Sequence, residues 1–183
     1  MTSLDDDWLI RQAAFRFVEE QADLGGGLLH FKTLQRGFDF LGTRITLCGM
    51  RGIWTPSHPM IGPISIRTSN DDPYEDYVDD RSGSLHYHYF IDRKRPREDS
   101  LFHRDNTGLR ELWQLGRPLI YLQGVGDGLY VPIWPMVITD DHPSMFRFEL
   151  ACEDVNSLAP GVGLQAADEA RRRYVTRMAV VRL

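Results

Sequence analysis

Residues 118–138 read PLIYLQGVGDGLYVPIWPMVI, and the fold class turns on them. Two apolar runs, PLIYLQG and LYVPIWPMVI, are rich in β-branched and aromatic side chains and are separated by Gly and Asp. That composition and punctuation predict two strands joined by a turn. Strand-like runs recur at PISIRTS (63–69), SLHYHYF (84–90) and MFRFELA (145–151). Around Gly42-Thr43, Phe38, Phe40, Ile45 and Leu47 alternate with polar or small residues, the period of a hairpin.

Helical patterning is confined to a few segments. Ser3 with Asp6 resembles a capping box, and Leu4, Trp8, Phe15 and Val18 fall near one face of a helix running to about residue 22. Three glycines at 25–27 end it, and LLHFKTLQ (28–35) predicts a short second helix stopped by Gly37. DNTGLRELWQLG (105–116) predicts a third, with Leu109, Leu112 and Trp113 inward and Gly116 closing it. The tail from 165 to 182 has Tyr174, Met178 and Val181 at helical spacing.

Many short strands with few helices predict an α+β fold, a strongly curved mixed sheet or partly closed β-barrel with flanking helices. The expected organisation is one domain over 1–183, with N-terminal helices at about 4–36, a β core at about 37–152 and a C-terminal helix at about 165–182. Strands do not alternate regularly with helices and no G-x-G-x-x-G or G-K-[ST] loop occurs, which argues against a doubly wound nucleotide-binding fold.

Composition narrows the function classes. The chain of 183 residues carries a net charge of −5, too acidic for nonspecific coating of nucleic acid. Local basic clusters nevertheless stand out at RKRPR (93–97) with Arg104 and Arg110, and at RRRYVTR (171–177). Charges more than a Debye length of about 8 Å apart are largely screened from one another, so distribution outweighs the sum. No apolar run approaches the roughly 20 residues of a membrane span and the acidic start lacks signal-peptide character, so a cytoplasmic protein is expected. Cys48 and Cys152 are too few and too far apart for a zinc ribbon, and each reads as a buried small hydrophobe.

The chemistry concentrates in NDDPYEDYVDDRSGSLHYHYF (70–90), where six carboxylates stand beside five aromatic rings. A strand through HYH places His86 and His88 on one face and Tyr87 and Tyr89 on the other. A second polar patch, HRDN (103–106), sits at a helix start. Asp105 or Asn106 suits an N-cap there, while His103 and Arg104 suit phosphate at the positive end of the helix.

These residues resemble SRA (SET and RING associated) domains, which read modified cytosine in DNA. The shared order is Tyr74-Glu75-Asp76, Gly83, LHYHY, Asn106 with Leu109, and GRPLIYLQG (116–124). A second resemblance, to the N-terminal module of bacterial HNH restriction endonucleases, covers nearly the whole chain. It rests on RQAAFRFVEEQ (11–21), GFDFLGTRITL (37–47), RGIWTP (51–56), SIRT (65–68), PYEDY (73–77), HRDNTGLRE (103–111), PLIYLQGV (118–125) and RYVTRM (173–178). The chain departs from the SRA pattern at Tyr77, which replaces the second Asp of Y-E-D-D, and in two residues inserted before Gly83. The usual Tyr-x-Gly strand end is here Tyr89-Phe90-Ile91. No His-Asn-His nuclease sequence occurs in it.

The resemblance implies an SRA-like or PUA-like recognition module without its own catalytic site. It binds double-stranded DNA, needs no cofactor or metal, and serves an HNH nuclease domain, with a homodimer as one arrangement. A flipped cytosine would stack between Tyr74 and Tyr89 or Tyr87, its N4 amino group donating to a carboxylate among Asp76, Asp79 and Asp80. Arg51, Arg67, Arg93, Lys94, Arg95, Arg97, His103, Arg104 and Asn106 would hold the backbone and grooves. Two rival classes share the residues: a PUA-like domain for RNA or a small ligand, and a metal-dependent hydrolase using His86, His88, His103 and an acid.

Overall fold

A computed structural model describes residues 4–58, 60–68, 76–79 and 81–153. Tyr74, Asp80, the expected C-terminal helix and the basic cluster at 171–177 lie outside the described residues.

The stretch 118–138 forms the centre of the fold. It is a hairpin of β8 (Leu119–Gly126) and β9 (Leu129–His142). Asp127 and Gly128, at φ 54 and 68, make the two-residue turn. Left-handed φ at both positions is what a type I′ turn demands, and its twist matches that of the flanking strands. The pairing slips by one residue between Leu119↔Met136 and Tyr121↔Ile133. The extra residue lets Ile133 and Met136 face the same core.

The other strands join this hairpin on both sides. They are β1 (Leu29–His30), β4 (Ile53–Trp54), β5 (Ser65–Thr68), β6 (Tyr77–Val78), β7 (Leu85–His88) and β10 (Arg147–Cys152). The order is β4-β5-β8-β9-β10-β7-β6, with β1 paired to β9. Only β5 and β8 run parallel, so the sheet is mixed. The expected hairpin at 38–47 forms separately as β2 (Phe38–Phe40) and β3 (Thr43–Ile45).

The sheet curls strongly. Four strand spacings separate β5 from β7, about 19 Å if the sheet were flat. Yet the Tyr87 hydroxyl of β7 donates to the Arg67 carbonyl of β5 at 3.2 Å. Only a sheet rolled toward itself brings these strands within the reach of one tyrosine. Among the described strands the sheet remains open, from the β4 edge to the β6 edge.

Each face carries its own core. Leu85, Tyr87, Tyr89, Leu119, Tyr121, Ile138, Phe148 and Leu150 fill one with Leu109 and Leu112 of α3 (Arg104–Leu115). Ile120, Leu122, Tyr130 and Trp134 fill the other, under α1 (Leu4–Leu24) and α2 (Phe31–Arg36). Burying each such side chain contributes about 1.5–3 kcal/mol. Gly62 permits a close approach here: at φ 64, a Cβ would meet the Gly108 carbonyl oxygen at 2.5 Å, which seats the 61–63 loop against α3.

The helices depart from expectation in instructive ways. The buried stripe of α1 is Asp7, Ile10, Arg11, Ala14, Val18 and Ala22, leaving Leu4 exposed and Trp8 and Phe15 half-buried. Asp7 and Arg11 are 0% exposed. The Arg11 Nε donates to Asp7 at 2.9 Å, and its two terminal nitrogens reach Asp7 again and the carbonyls of Ile61, Pro63 and Pro118. All five guanidinium donors are used, and the Ile61 N–H donates back to Asp7 at 3.0 Å. This ion pair rotates the helix away from the face that apolar spacing selects. In the second helical segment, Leu29 and His30 pair with β9 instead, and the helix begins only at Phe31. Trp113 of α3 is exposed, whereas Leu109 and Leu112 are buried and Gly116 caps the helix as expected. Cys48 is buried, its thiol pushed up to about 11 by desolvation, while Cys152 is only half-buried.

Candidate nucleic-acid interface

The N-terminal turn of α3 gathers three of the residues expected to hold phosphate. The N-cap is His103, whose Nδ1 accepts from the Asp105 N–H at 3.3 Å, rather than Asp105 or Asn106. The cap lies two or three positions earlier than the HRDN pattern suggests, so both side chains turn inward. Asp105 becomes a buried hub: Arg51 Nη1 donates to it at 3.1 Å, and Arg104 Nε lies 3.5 Å away. A carboxylate in the first turn also suits the helix dipole. The hub holds Arg51 and Arg104 beside each other although 53 positions separate them in the chain.

The 3₁₀ turn Arg97–Phe102 leads into this cap, and the loop before it carries Arg93, Lys94 and Arg95, all exposed. Arg97 is exposed too, its guanidinium 4.4 Å from the Phe146 ring centroid. Two hollows of about 500 and 580 Å³ flank the helix start and share Arg104 as a wall. Arg95 and His103 line the first, Arg51 and Glu111 the second. Six cations, Arg51, Arg93, Lys94, Arg95, Arg97 and Arg104, stand here against five carboxylates, Asp92, Glu98, Asp99, Asp105 and Glu111.

Two expected backbone contacts lie elsewhere. Arg67 is instead engaged by the Tyr130 hydroxyl, the Met50 carbonyl and the Phe31 ring. Asn106 is 0% exposed, so it presents nothing to a ligand. Its Oδ1 accepts from the Phe90 N–H at 2.8 Å, and its Nδ2 donates to the carbonyls of Phe90 and Ser100. A carboxamide matches a strand-like N–H and C=O pair, and here it clamps β7's extension to α3.

The expected base clamp is not what the fold builds from Tyr87 and Tyr89. They do share a face opposite His86 and His88, but that face is the core side of the sheet. Tyr89 is 0% exposed, its ring against Phe146 and Phe148. Its hydroxyl donates to Asp141, which also receives Arg110 Nε at 2.7 Å. Desolvation and that hydrogen bond push the Tyr89 hydroxyl up to about 12. Tyr87 is 5% exposed and packs in the same core. Two alternate residues of a strand facing inward are core positions first, and apolar periodicity alone cannot assign them to a cavity.

The carboxylates likewise serve local structure. Asp76 accepts from the His88 N–H at 2.7 Å and lies 3.0 Å from its Nδ1. Asp79 turns the β6–β7 hairpin, accepting from the N–H groups of Arg81 and Ser82, which hold its carboxyl below the usual range. A feature missed from sequence is the stack of Tyr77 on His86, centroids 4.6 Å apart, with Arg147 donating to the Tyr77 hydroxyl. The stack follows from the cross-strand register Tyr77↔His86, which the sequence alone does not fix. Among the described residues no three His, Cys, Asp or Glu side chains form a metal-binding group, and His86, His88 and His103 are not brought together as ligands. Among those residues, too, no helix is long and apolar enough to cross a membrane.

No protein-family model matches the chain, and neither curated proteins nor solved structures yield a significant similarity to it.

Proposed function

We propose that the chain is a double-stranded DNA-binding module that recognises modified cytosine. In this reading it grips phosphates with the loop 92–104 and the N-terminal turn of α3. The supporting observation is the convergence of Arg51, His103 and Arg104 at one helix start, beside the exposed Arg93, Lys94 and Arg95. Phosphate oxygens favour such a position because the positive end of the helix dipole and the neighbouring cations act on them together.

The base-reading half of the proposal comes from the ordered motifs around Tyr74-Glu75-Asp76, Gly83 and LHYHY. With Tyr87 and Tyr89 committed to the core, the rings available for it are Tyr74 and the half-exposed Tyr77, with Asp79 or Asp80 as the carboxylate. The curled sheet becomes, in this proposal, the wall of a partly closed SRA-like barrel. The module itself cuts nothing; an HNH-type nuclease domain is the partner that would supply cleavage, and a second copy would let both strands of a symmetric site be read.

Arg95→Ala and Arg104→Ala test the phosphate face. Each is expected to weaken binding to modified and unmodified duplexes equally and to lower the slope of log affinity against log salt by about one. Fluorescence anisotropy over a salt series measures both. A loss confined to modified DNA would contradict the assignment.

A further inference from the structure

Phe102 is 83% exposed, among the most exposed large apolar side chains of the described residues. Single exposed apolar residues are common on protein surfaces and mean nothing alone. Its company is what counts. Phe102 lines the 500 Å³ hollow with Arg95 and Arg104, whose side chains are 71% and 72% exposed. Asp92 and Asp99 line the same hollow. Asp92 meets Arg95 only at 3.9 Å and in solvent, a contact weak enough for a phosphate to displace.

The backbone beneath the ring is anchored on both sides. Ser100 is buried and its carbonyl accepts from Asn106, while His103 caps α3 and its N–H donates to the same Ser100 carbonyl. The side chain therefore projects from a fixed turn, with only two torsions to immobilise on binding. A flat apolar ring that shares one hollow with two solvent-exposed guanidinium groups has the complement of a nucleotide, base beside phosphate.

We propose that Phe102 is an aromatic wedge that stacks on a nucleobase of duplex DNA while Arg95 and Arg104 hold adjacent phosphates. The inference rests on the DNA-binding reading above. Apolar side chains inserted at a base step partly unstack it, and stacking tolerates any sequence because every base has a π face.

The test uses a duplex carrying 2-aminopurine, whose fluorescence rises when it is unstacked. Wild-type protein is expected to raise that signal on binding. Phe102→Ala is expected to bind about ten-fold more weakly, with an unchanged salt slope because no charge is lost, and to abolish the rise. Phe102→Trp restores the affinity. Circular dichroism should be identical for all three, since the position is exposed. Duplex binding by the wild type with unaltered affinity and signal in Phe102→Ala would overturn the wedge alone. A wild type that binds no duplex would overturn the DNA-binding reading and the wedge together. A wild-type dimer that Phe102→Ala converts to monomer, with DNA affinity unaltered, would make the ring a self-association contact and also overturn the wedge.

Discussion

Arg11→Met is expected to lower the unfolding free energy by about 3–5 kcal/mol, measured by urea denaturation. The guanidinium is fully buried and joins α1 to three carbonyls from outside the helix as well as to Asp7. Removing it leaves the Asp7 carboxylate desolvated, with the Ile61 N–H at 3.0 Å and the more distant Arg117 Nε at 3.8 Å in place of its closest ion pair. Buried ion pairs are costly to break and nearly neutral to replace, because desolvation already offsets most of their attraction. The double variant Asp7→Leu with Arg11→Met is therefore expected to lose much less than the sum of the single changes, the non-additivity of groups in contact. A single-variant loss below about 1 kcal/mol would show that the helix is held by its apolar contacts alone.

Tyr89→Ala is expected to cost about 3–5 kcal/mol by emptying a fully buried ring site. The consequence for DNA follows from where the ring sits. A base clamp would lose modified-DNA affinity selectively and keep its stability, whereas a core ring loses stability and weakens all binding through the unfolded fraction. Tyr89→Phe keeps the ring and removes only the hydroxyl shared with Asp141 and Arg110, at about 1–2 kcal/mol. Its pH dependence is distinct as well. With the folded hydroxyl raised from 10 to about 12, the unfolded chain releases that proton first. This contribution to stability is intact below pH 10 and is lost between pH 10 and about 12. Tyr89→Phe should fall less steeply over that window in thermal melts. Unchanged stability in Tyr89→Ala, with a selective loss for modified duplex, would return Tyr89 to the base pocket.

Local signals in the chain were enough to place five strands of the central sheet, β5, β7, β8, β9 and β10, but not the two-residue strands β1, β4 and β6. The runs at 118–124 and 129–138, the Gly42-Thr43 hairpin and the Gly116 cap depend on neighbours a few residues apart, and the structure follows them. What failed were positions decided by distant groups. The inward face of α1 was read from Leu4, Trp8, Phe15 and Val18, and nothing local shows that Asp7 and Arg11 are buried there until the 61–63 loop supplies carbonyls. Asn106 reads as a cap until Phe90 presents its backbone. Tyr87 and Tyr89 were placed on the correct side of their strand, but strand parity cannot tell a packed core from a ligand cavity. The convergence of Arg51 with Arg104 on Asp105 was equally hidden, since the two residues meet only after the sheet curls and α3 docks.

The most direct measurement is the affinity of the purified chain for otherwise identical duplexes containing cytosine, 5-methylcytosine, 5-hydroxymethylcytosine or glucosylated cytosine, each at several salt concentrations. Binding that weakens steeply with salt for every duplex, and is tighter for one modified form by at least about ten-fold, is the predicted result. Equal affinity for all four duplexes at every salt concentration would contradict modified-base recognition, and binding insensitive to salt would contradict the phosphate face itself.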